Sequence, residues 1–120
     1  MNAADLFRQE TDAVQLAPGD FLFHDGDKRD KMYVLLEGEM DIQLGHHVVE
    51  TATEGALIGE LALIDESPCG ANAVAKSPCR LATIDKKRFH FLIQQHPYFA
   101  THVMKELVDR LRHMNAAAMR

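Results

Sequence analysis

The sequence has no tryptophan, only two cysteines among 120 residues, and no apolar run that approaches 18 residues. Cys69 and Cys79 are too few for a disulfide framework, so we expect reduced thiols and a cytoplasmic protein. The missing apolar run argues against a membrane-spanning helix. The first ten residues carry Asp5, Arg8 and Glu10, and they lack the basic start and apolar stretch of a secretion signal.

Positive charge is also scarce, since 13 Lys and Arg residues stand against 18 Asp and Glu residues, for a formal net charge of -5. A nucleic-acid-binding domain normally has a basic excess or a basic face. We therefore predict neither a nucleic-acid partner nor a membrane partner. Hydrophobic residues make up 47% of the chain, which is enough to bury a core without metal or disulfides. The length predicts a single domain over residues 1–120.

Short apolar runs separated by turn residues fill the chain up to residue 84, which predicts strands. The clearest run covers 32–44, where Gly38 divides it into two strands. The residue patterns predict seven strands in all, at 21–23, two within 32–44, and at 47–51, 57–58, 71–75 and 79–84. Residues 4–13 are interpreted as a short helix, and one helical turn is expected within 60–65. Turn signals every 8–12 residues are typical of a sandwich or barrel.

After residue 84 the apolar spacing becomes helical. Asp85 is a good N-cap for a helix over 86–95, and His96-Pro97 breaks this helix before a second one over 98–116. Strands followed by helices predict a mainly β member of the α+β class.

Several short motifs, in this order, resemble the cyclic-nucleotide-binding domain family: Pro18-Gly19-Asp20, Gly26-Asp27, Met32-Tyr33, Gly38-Glu39, Gly59-Glu60-Leu61-Ala62-Leu63 and Pro68. The family includes catabolite-activator-type regulators and the regulatory subunit of cyclic-AMP-dependent protein kinase. The resemblance implies an eight-stranded jelly-roll barrel over about 14–84. It also implies a short N-terminal helix, a short phosphate-cassette helix and the two C-terminal helices.

In the family, the stretch that matches residues 59–75 is the phosphate-binding cassette. The resemblance implies that Gly59 lets the backbone approach the ligand and that Glu60 accepts a hydrogen bond from the ribose 2′-hydroxyl. A helix N-terminus with unpaired N–H groups suits an anion, and the resemblance gives this role to Leu61 and Ala62. The expected ligand-binding positions are Gly59, Glu60, Leu61, Ala62, Cys69, Gly70, Ala71 and Asn72.

The chain departs from the family pattern after Pro68. The family has Arg-Ala there, with the arginine clamping the phosphate, whereas this chain has Cys69-Gly70, and Asn72 takes a position that is usually threonine. Losing a charge-assisted hydrogen bond typically costs about 1.5–3 kcal/mol. We therefore predict weak or absent binding of cAMP or cGMP, and no cofactor.

Two functions stay open from the sequence: a non-enzymatic small-ligand sensor, and a ligand-free interaction scaffold. A metal-dependent cupin-like enzyme is a distant third. His46 and His47 are adjacent, so in a strand they face opposite ways and cannot both enter a barrel. No metal site and no catalytic residues are predicted, and the helical histidines are expected to face solvent: His90, His96, His102 and His113.

The second helix carries an apolar seam with 3-4-3 spacing, formed by Met104, Leu107, Leu111 and Met114. In the resembling regulators the equivalent helix forms a parallel dimer. We therefore predict a homodimer through this helix, and a protein partner is a further expectation.

Overall fold

The computed structural model describes residues 3–7, 9–28, 30–59 and 70–118. A 3₁₀ helix, Ala3–Phe7, precedes the strands. The strands are β1 (Val14–Leu16), β2 (Phe21–Phe23), β3 (Lys31–Glu37), β4 (Met40–Leu44), β5 (His47–Ala52), β6 (Leu57–Ile58), β7 (Asn72–Ala75) and β8 (Cys79–Asp85). Two α-helices follow, α1 (Lys86–Gln95) and α2 (Pro97–Ala118).

The strands form two antiparallel four-stranded sheets, sheet A in the order β1-β8-β3-β6 and sheet B in the order β2-β7-β4-β5. The mainly β fold with terminal helices confirms the predicted fold class. The residue patterns alone missed β1, in which Val14 pairs with Leu81 and Leu16 with Cys79. In this strand Gln15 separates two apolar residues, so it has no continuous apolar run of the kind that predicted β2 and β6.

Strand β3 is buried on both faces, which explains its nearly continuous apolar sequence. Met32 and Val34 belong to a core beneath the helices, whereas Leu35 belongs to a core between the two sheets. The inter-sheet core also receives Met40 from β4 and Leu81 from β8. Sheet A is therefore the middle layer of three, with sheet B on one side and the helices on the other.

The helices cover the outer face of sheet A with large side chains. Phe89 and Leu92 of α1 and Phe99 and Val103 of α2 are all buried in the core beneath the helices. Helix α1 begins after Asp85, whose Oδ1 accepts the Arg88 N–H at 2.8 Å, as expected of an N-cap. Helix α2 begins directly after the C-cap residue His96.

The N-terminal segment corrects one expectation. The predicted helix over 4–13 is a 3₁₀ helix that ends at Phe7, and the described residues beyond it are not helical. Glu10 explains the difference: its carboxylate accepts from Arg88 of α1 at 2.7 Å, and its carbonyl accepts from Arg80 of β8 at 3.2 Å. These contacts fix the turn and bends that follow the 3₁₀ helix, and the chain then enters β1.

Candidate functional site

Strand β6 carries the chain to the first expected cassette residue. Leu57 and Ile58 are buried, and Gly59 follows with φ +79°. At this positive φ a side chain is strained, so the turn at the end of β6 favours glycine. The structure therefore gives a local reason for glycine at this position.

Residues 60–69 lie outside the described part of the chain. The expected roles of Glu60, Leu61, Ala62 and Cys69, and the expected cassette helix, fall in this segment and stay predictions.

The described chain resumes at Gly70, which is exposed, and β7 starts two residues later at Asn72. The Asn72 Oδ1 accepts a hydrogen bond from the Asp25 N–H at 2.7 Å. This contact fixes the turn between β2 and β3 against the start of β7. The side-chain oxygen of Asn72 thus accepts one hydrogen bond within the fold.

Gly70 differs from Gly59 in what its backbone requires. No positive φ marks this glycine, and a Cβ built on it would meet no atom of the described residues within 4 Å. Neither backbone geometry nor space therefore requires glycine at this position. Alanine, the residue of the family pattern, fits here.

Lys76 and Arg80 are the cationic residues that follow Cys69 most closely in the sequence, and the Arg80 side chain is bound elsewhere. The Arg80 Nη1 donates to Glu37 Oε1 at 2.9 Å, and its Nη2 donates to the Glu10 carbonyl. Lys76 is exposed in the turn after β7, where its backbone N–H donates to the Glu39 carbonyl. Arg80 is therefore held by ion pairing on β8.

Helix α2 contacts β6 and β5 through two residues that the sequence analysis did not select. The Glu106 Oε2 accepts the Leu57 N–H at 3.2 Å, two residues before Gly59. One turn further along, Arg110 Nη2 lies 3.9 Å from Glu50 Oε2 of β5. The i,i+4 spacing of Glu106 and Arg110 places both on one helix face, but no sequence pattern shows which strand that face meets.

The expected apolar seam divides between two faces of α2. Met104 and Leu111 are 58% and 57% exposed, with Val108 beside them at 45%. Leu107 packs partly buried against the core beneath the helices, in line with Phe99 and Val103. The Met114 side chain lies outside the described residues. The outer stripe of α2 is therefore Met104, Val108 and Leu111.

A groove of about 340 Å³ opens between β2 and β3. Its lining residues are Leu22, Phe23, Asp27, Lys28, Asp30, Lys31 and Tyr33. Of the expected ligand-binding positions that the structure describes, Gly59, Gly70, Ala71 and Asn72, none lines this groove.

In the described ranges, no group of three or more His, Cys, Asp or Glu side chains could hold a metal ion. His46 and His47 are exposed at the β4–β5 hairpin, and Glu50 faces Arg110. The same ranges contain no helix with the length and hydropathy that a membrane crossing requires.

The family described as the cyclic nucleotide-binding domain matches residues 13–96. A cAMP-dependent protein kinase regulatory subunit from Hypocrea atroviridis is 35% identical over 79 residues, which is 66% of this chain and 17% of that protein. The cAMP-activated global transcriptional regulator CRP of Pasteurella multocida is 32% identical over 97 residues, 76% of this chain and 46% of that protein.

Among solved structures, the catabolite activator protein of Thermus thermophilus has a TM-score of 0.79 at 25% identity, covering 94% of this chain and 55% of that one. The chain thus spans less than half the length of the two curated relatives described above. The family match covers well over half of the chain, and it agrees with the two sheets and the terminal helices. The chain belongs to the cyclic nucleotide-binding domain family.

Proposed function

We propose that the chain is a non-catalytic regulatory sensor module in which binding of cAMP or cGMP is weak or altered. One observation carries the proposal: the family's glycine turn follows β6 at Gly59, while Cys69-Gly70 stands where the family has Arg-Ala. The family's fold and the glycine turn after β6 support a ligand pocket at the expected cassette. The residue that clamps the phosphate is replaced.

The absence of the family's arginine determines how much affinity for a cyclic nucleotide we expect to be lost. An arginine gives a phosphate two charge-assisted hydrogen bonds. Losing one such contact costs about 1.5–3 kcal/mol, or roughly 10- to 150-fold in affinity. The Arg80 guanidinium is committed to Glu37 and Glu10, so it is a poor substitute.

The test is a gain of function. Gly70 has room for a Cβ, so the pair Cys69→Arg and Gly70→Ala restores the family's Arg-Ala without a steric cost at position 70. The matched control is Cys69→Gln with Gly70→Ala, which adds a long polar side chain but no charge. Thermal unfolding of wild type and both variants is measured with cAMP and with cGMP up to millimolar concentration.

We expect little stabilisation of the wild type and of the glutamine control, and a clear rise in Tm for the arginine variant. A ligand at 100 times its Kd stabilises the folded state by about 2.7 kcal/mol. A micromolar Kd of the wild type for cAMP or cGMP would show that the arginine is dispensable. It would overturn the proposal that binding is weak. No binding by the arginine variant would overturn the sensor proposal for these two ligands.

The contact of α2 with β6 supports a route for readout. The Glu106–Leu57 hydrogen bond joins this helix to the strand that enters the expected cassette. A ligand moves a helix only when it has different affinities for two helix positions. A ligand that displaces β6 or the turn after it acts directly on the Glu106–Leu57 hydrogen bond. The output is then a change in the position of α2.

The outer stripe of α2 favours a second candidate, a ligand-free dimerisation or protein-interaction scaffold in the cytoplasm. Met104, Val108 and Leu111 are large, apolar and about half exposed or more. Their 4-3 spacing places Val108 and Leu111 at successive a and d positions of a heptad. A β-branched residue at a with leucine at d favours a parallel coiled coil of two helices. We therefore propose a parallel homodimer through the outer stripe, a role that is compatible with either function.

Light scattering tests the dimer. We expect wild type to be a dimer and Leu111→Asp a monomer, because the substitution places a charge in the middle of the stripe. Lys105→Asp is the matched control, since Lys105 is exposed on the same helix outside the stripe, and it should stay dimeric. A monomeric wild type would eliminate the proposed interface.

A further inference from the structure

His102 of α2 has a polar atom that the fold leaves unsatisfied. Its Nε2 is buried and has no hydrogen-bond partner among the described residues, although 29% of the side chain is exposed. The expectation that His102 faces solvent is therefore wrong for this atom. The Glu106 Oε1 lies 3.6 Å from it, beyond the usual hydrogen-bond distance.

The other oxygen of the same carboxylate holds the helix to the sheet. Glu106 Oε2 accepts the Leu57 N–H at 3.2 Å. Strand β6 is at the edge of sheet A, where an outward N–H has no neighbouring strand to pair with. Glu106 thus stands between a backbone donor of β6 and the imidazole of His102.

The charged groups of the described residues at this contact come from two elements. Glu106 and Arg110 belong to α2, and Glu50 of β5 faces Arg110. Strand β6 contributes the backbone N–H of Leu57, and α1 contributes apolar Phe89 and Leu92 to the adjoining core. Histidine is the residue type whose charge responds to pH near neutrality, whereas arginine and glutamate keep theirs.

We propose that His102 and Glu106 form a proton-sensitive latch that fixes α2 against β6, the helix position which the proposed function uses as its readout. Protonated His102 donates from Nε2 to Glu106 Oε1, while Oε2 keeps the Leu57 N–H. The protonated imidazole holds the carboxylate in the orientation that bridges the two elements. Acidification therefore tightens the docking of α2 and opposes its movement.

The experiment uses the ligand-free chain, so its outcome is independent of nucleotide binding. Hydrogen exchange of the Leu57 amide is followed by NMR at about pH 5.5 and about pH 7.5, with each rate corrected for the intrinsic effect of pH. We expect about two- to fivefold greater protection at the lower pH, the range given by a partly exposed ion pair. His102→Gln should abolish this difference.

Two further variants separate the latch from general effects. Glu106→Gln keeps an oxygen that can accept from Leu57 but removes the charge, so protection should persist and lose its pH dependence. His46→Gln removes an exposed hairpin histidine and should leave the wild-type response intact. Equal protection of Leu57 at both pH values in wild type, or an unchanged response in His102→Gln, would overturn the latch.

Discussion

Gly38 has both a conformation and a surrounding space that only glycine suits. Its φ is +95°, and a Cβ would clash with the Pro78 carbonyl oxygen and lie 2.8 Å from the Cys79 Sγ. The left-handed conformation alone costs a side chain about 1–3 kcal/mol, and backbone contacts this close cannot be relieved by a rotamer change. We expect Gly38→Ala to lower the free energy of unfolding by more than about 3 kcal/mol, measured by urea denaturation.

Gly26→Ala is the control for the conformational part of this loss. Gly26 has a similar φ of +89°, but no atom of the described part of the chain lies within 4 Å of its Cβ position. Its substitution should cost only the strain of the backbone, and the difference between the two variants measures the clash. Equal losses would mean that the contact with the Pro78 turn carries no penalty.

Cys79 should make the stability of the fold depend on pH in the alkaline range. Burial raises the pKa of this thiol above its ordinary value. The folded state holds the proton more tightly, so this contribution to stability is complete below the ordinary thiol pKa and is lost as pH rises through the raised one. We expect the free energy of unfolding to fall above about pH 8.5 more steeply in wild type than in Cys79→Ala. Urea unfolding from pH 7 to pH 10 measures this, and parallel curves for the two proteins would contradict it.

At the scale of elements, Arg88 joins three parts of the chain. It donates to Glu10 at 2.7 Å and to the Thr83 carbonyl at 3.0 Å, and its guanidinium lies 4.9 Å from the centre of the Phe7 ring. Arg88→Ala leaves the largely buried Glu10 carboxylate unpaired, so we expect a loss of about 1.5–3 kcal/mol in unfolding free energy. Exposed Lys87, on the same helix turn, is the control. Lys87→Ala should change stability by less than about 0.5 kcal/mol, and similar losses in both would refute the role of Arg88.

The sequence was most informative about elements whose pattern is local. The run from Met32 to Leu44, broken at Gly38, predicted two strands that the structure contains as β3 and β4. The sequence pattern missed β1 because Gln15 interrupts its apolar residues, and its pairing partner in β8 is more than 60 residues away. The 3₁₀ helix ends early for a similar reason, since Glu10 is held by Arg80 and Arg88 from distant parts of the chain.

The candidate site shows the same division. Gly59 could be expected from its motif, because a glycine turn is a local requirement. The bond between Asn72 and Asp25 joins residues 47 positions apart, and the bond between Glu106 and Leu57 joins residues 49 apart. Spacing on α2 also predicted one apolar seam, but only the packed structure shows that Leu107 faces the core and Val108 faces outward.

For the whole molecule, the three layers make the helices part of the same folding unit as the strands. The core beneath the helices contains side chains of β3, β6 and β8 together with those of α1 and α2. Detaching α2 would expose the outer face of sheet A to water. The folded state should therefore lose its helices and its sheets together.

Phe99 tests this coupling, since it is 1% exposed and its ring meets that of Phe89 at a centroid distance of 6.3 Å. We expect Phe99→Ala to cost about 3–5 kcal/mol, as for other buried aromatic residues. Tyr98→Ala is the neighbouring control, because Tyr98 is 45% exposed, and it should cost far less.

Phe99→Ala also shows whether the helices and the two sheets unfold in a single transition. The chain has two tyrosines and no tryptophan, so in a Tyr98→Phe background Tyr33 of β3 is the fluorescence probe of sheet A. We expect urea curves from Tyr33 fluorescence and from circular dichroism at 222 nm to coincide, with and without Phe99→Ala, because both signals report one cooperative transition. If ellipticity is lost at lower urea than fluorescence, the helices detach from an intact pair of sheets. Since a helix that detaches on its own cannot transmit a strain from β6, that result would also remove the mechanical basis for readout through α2.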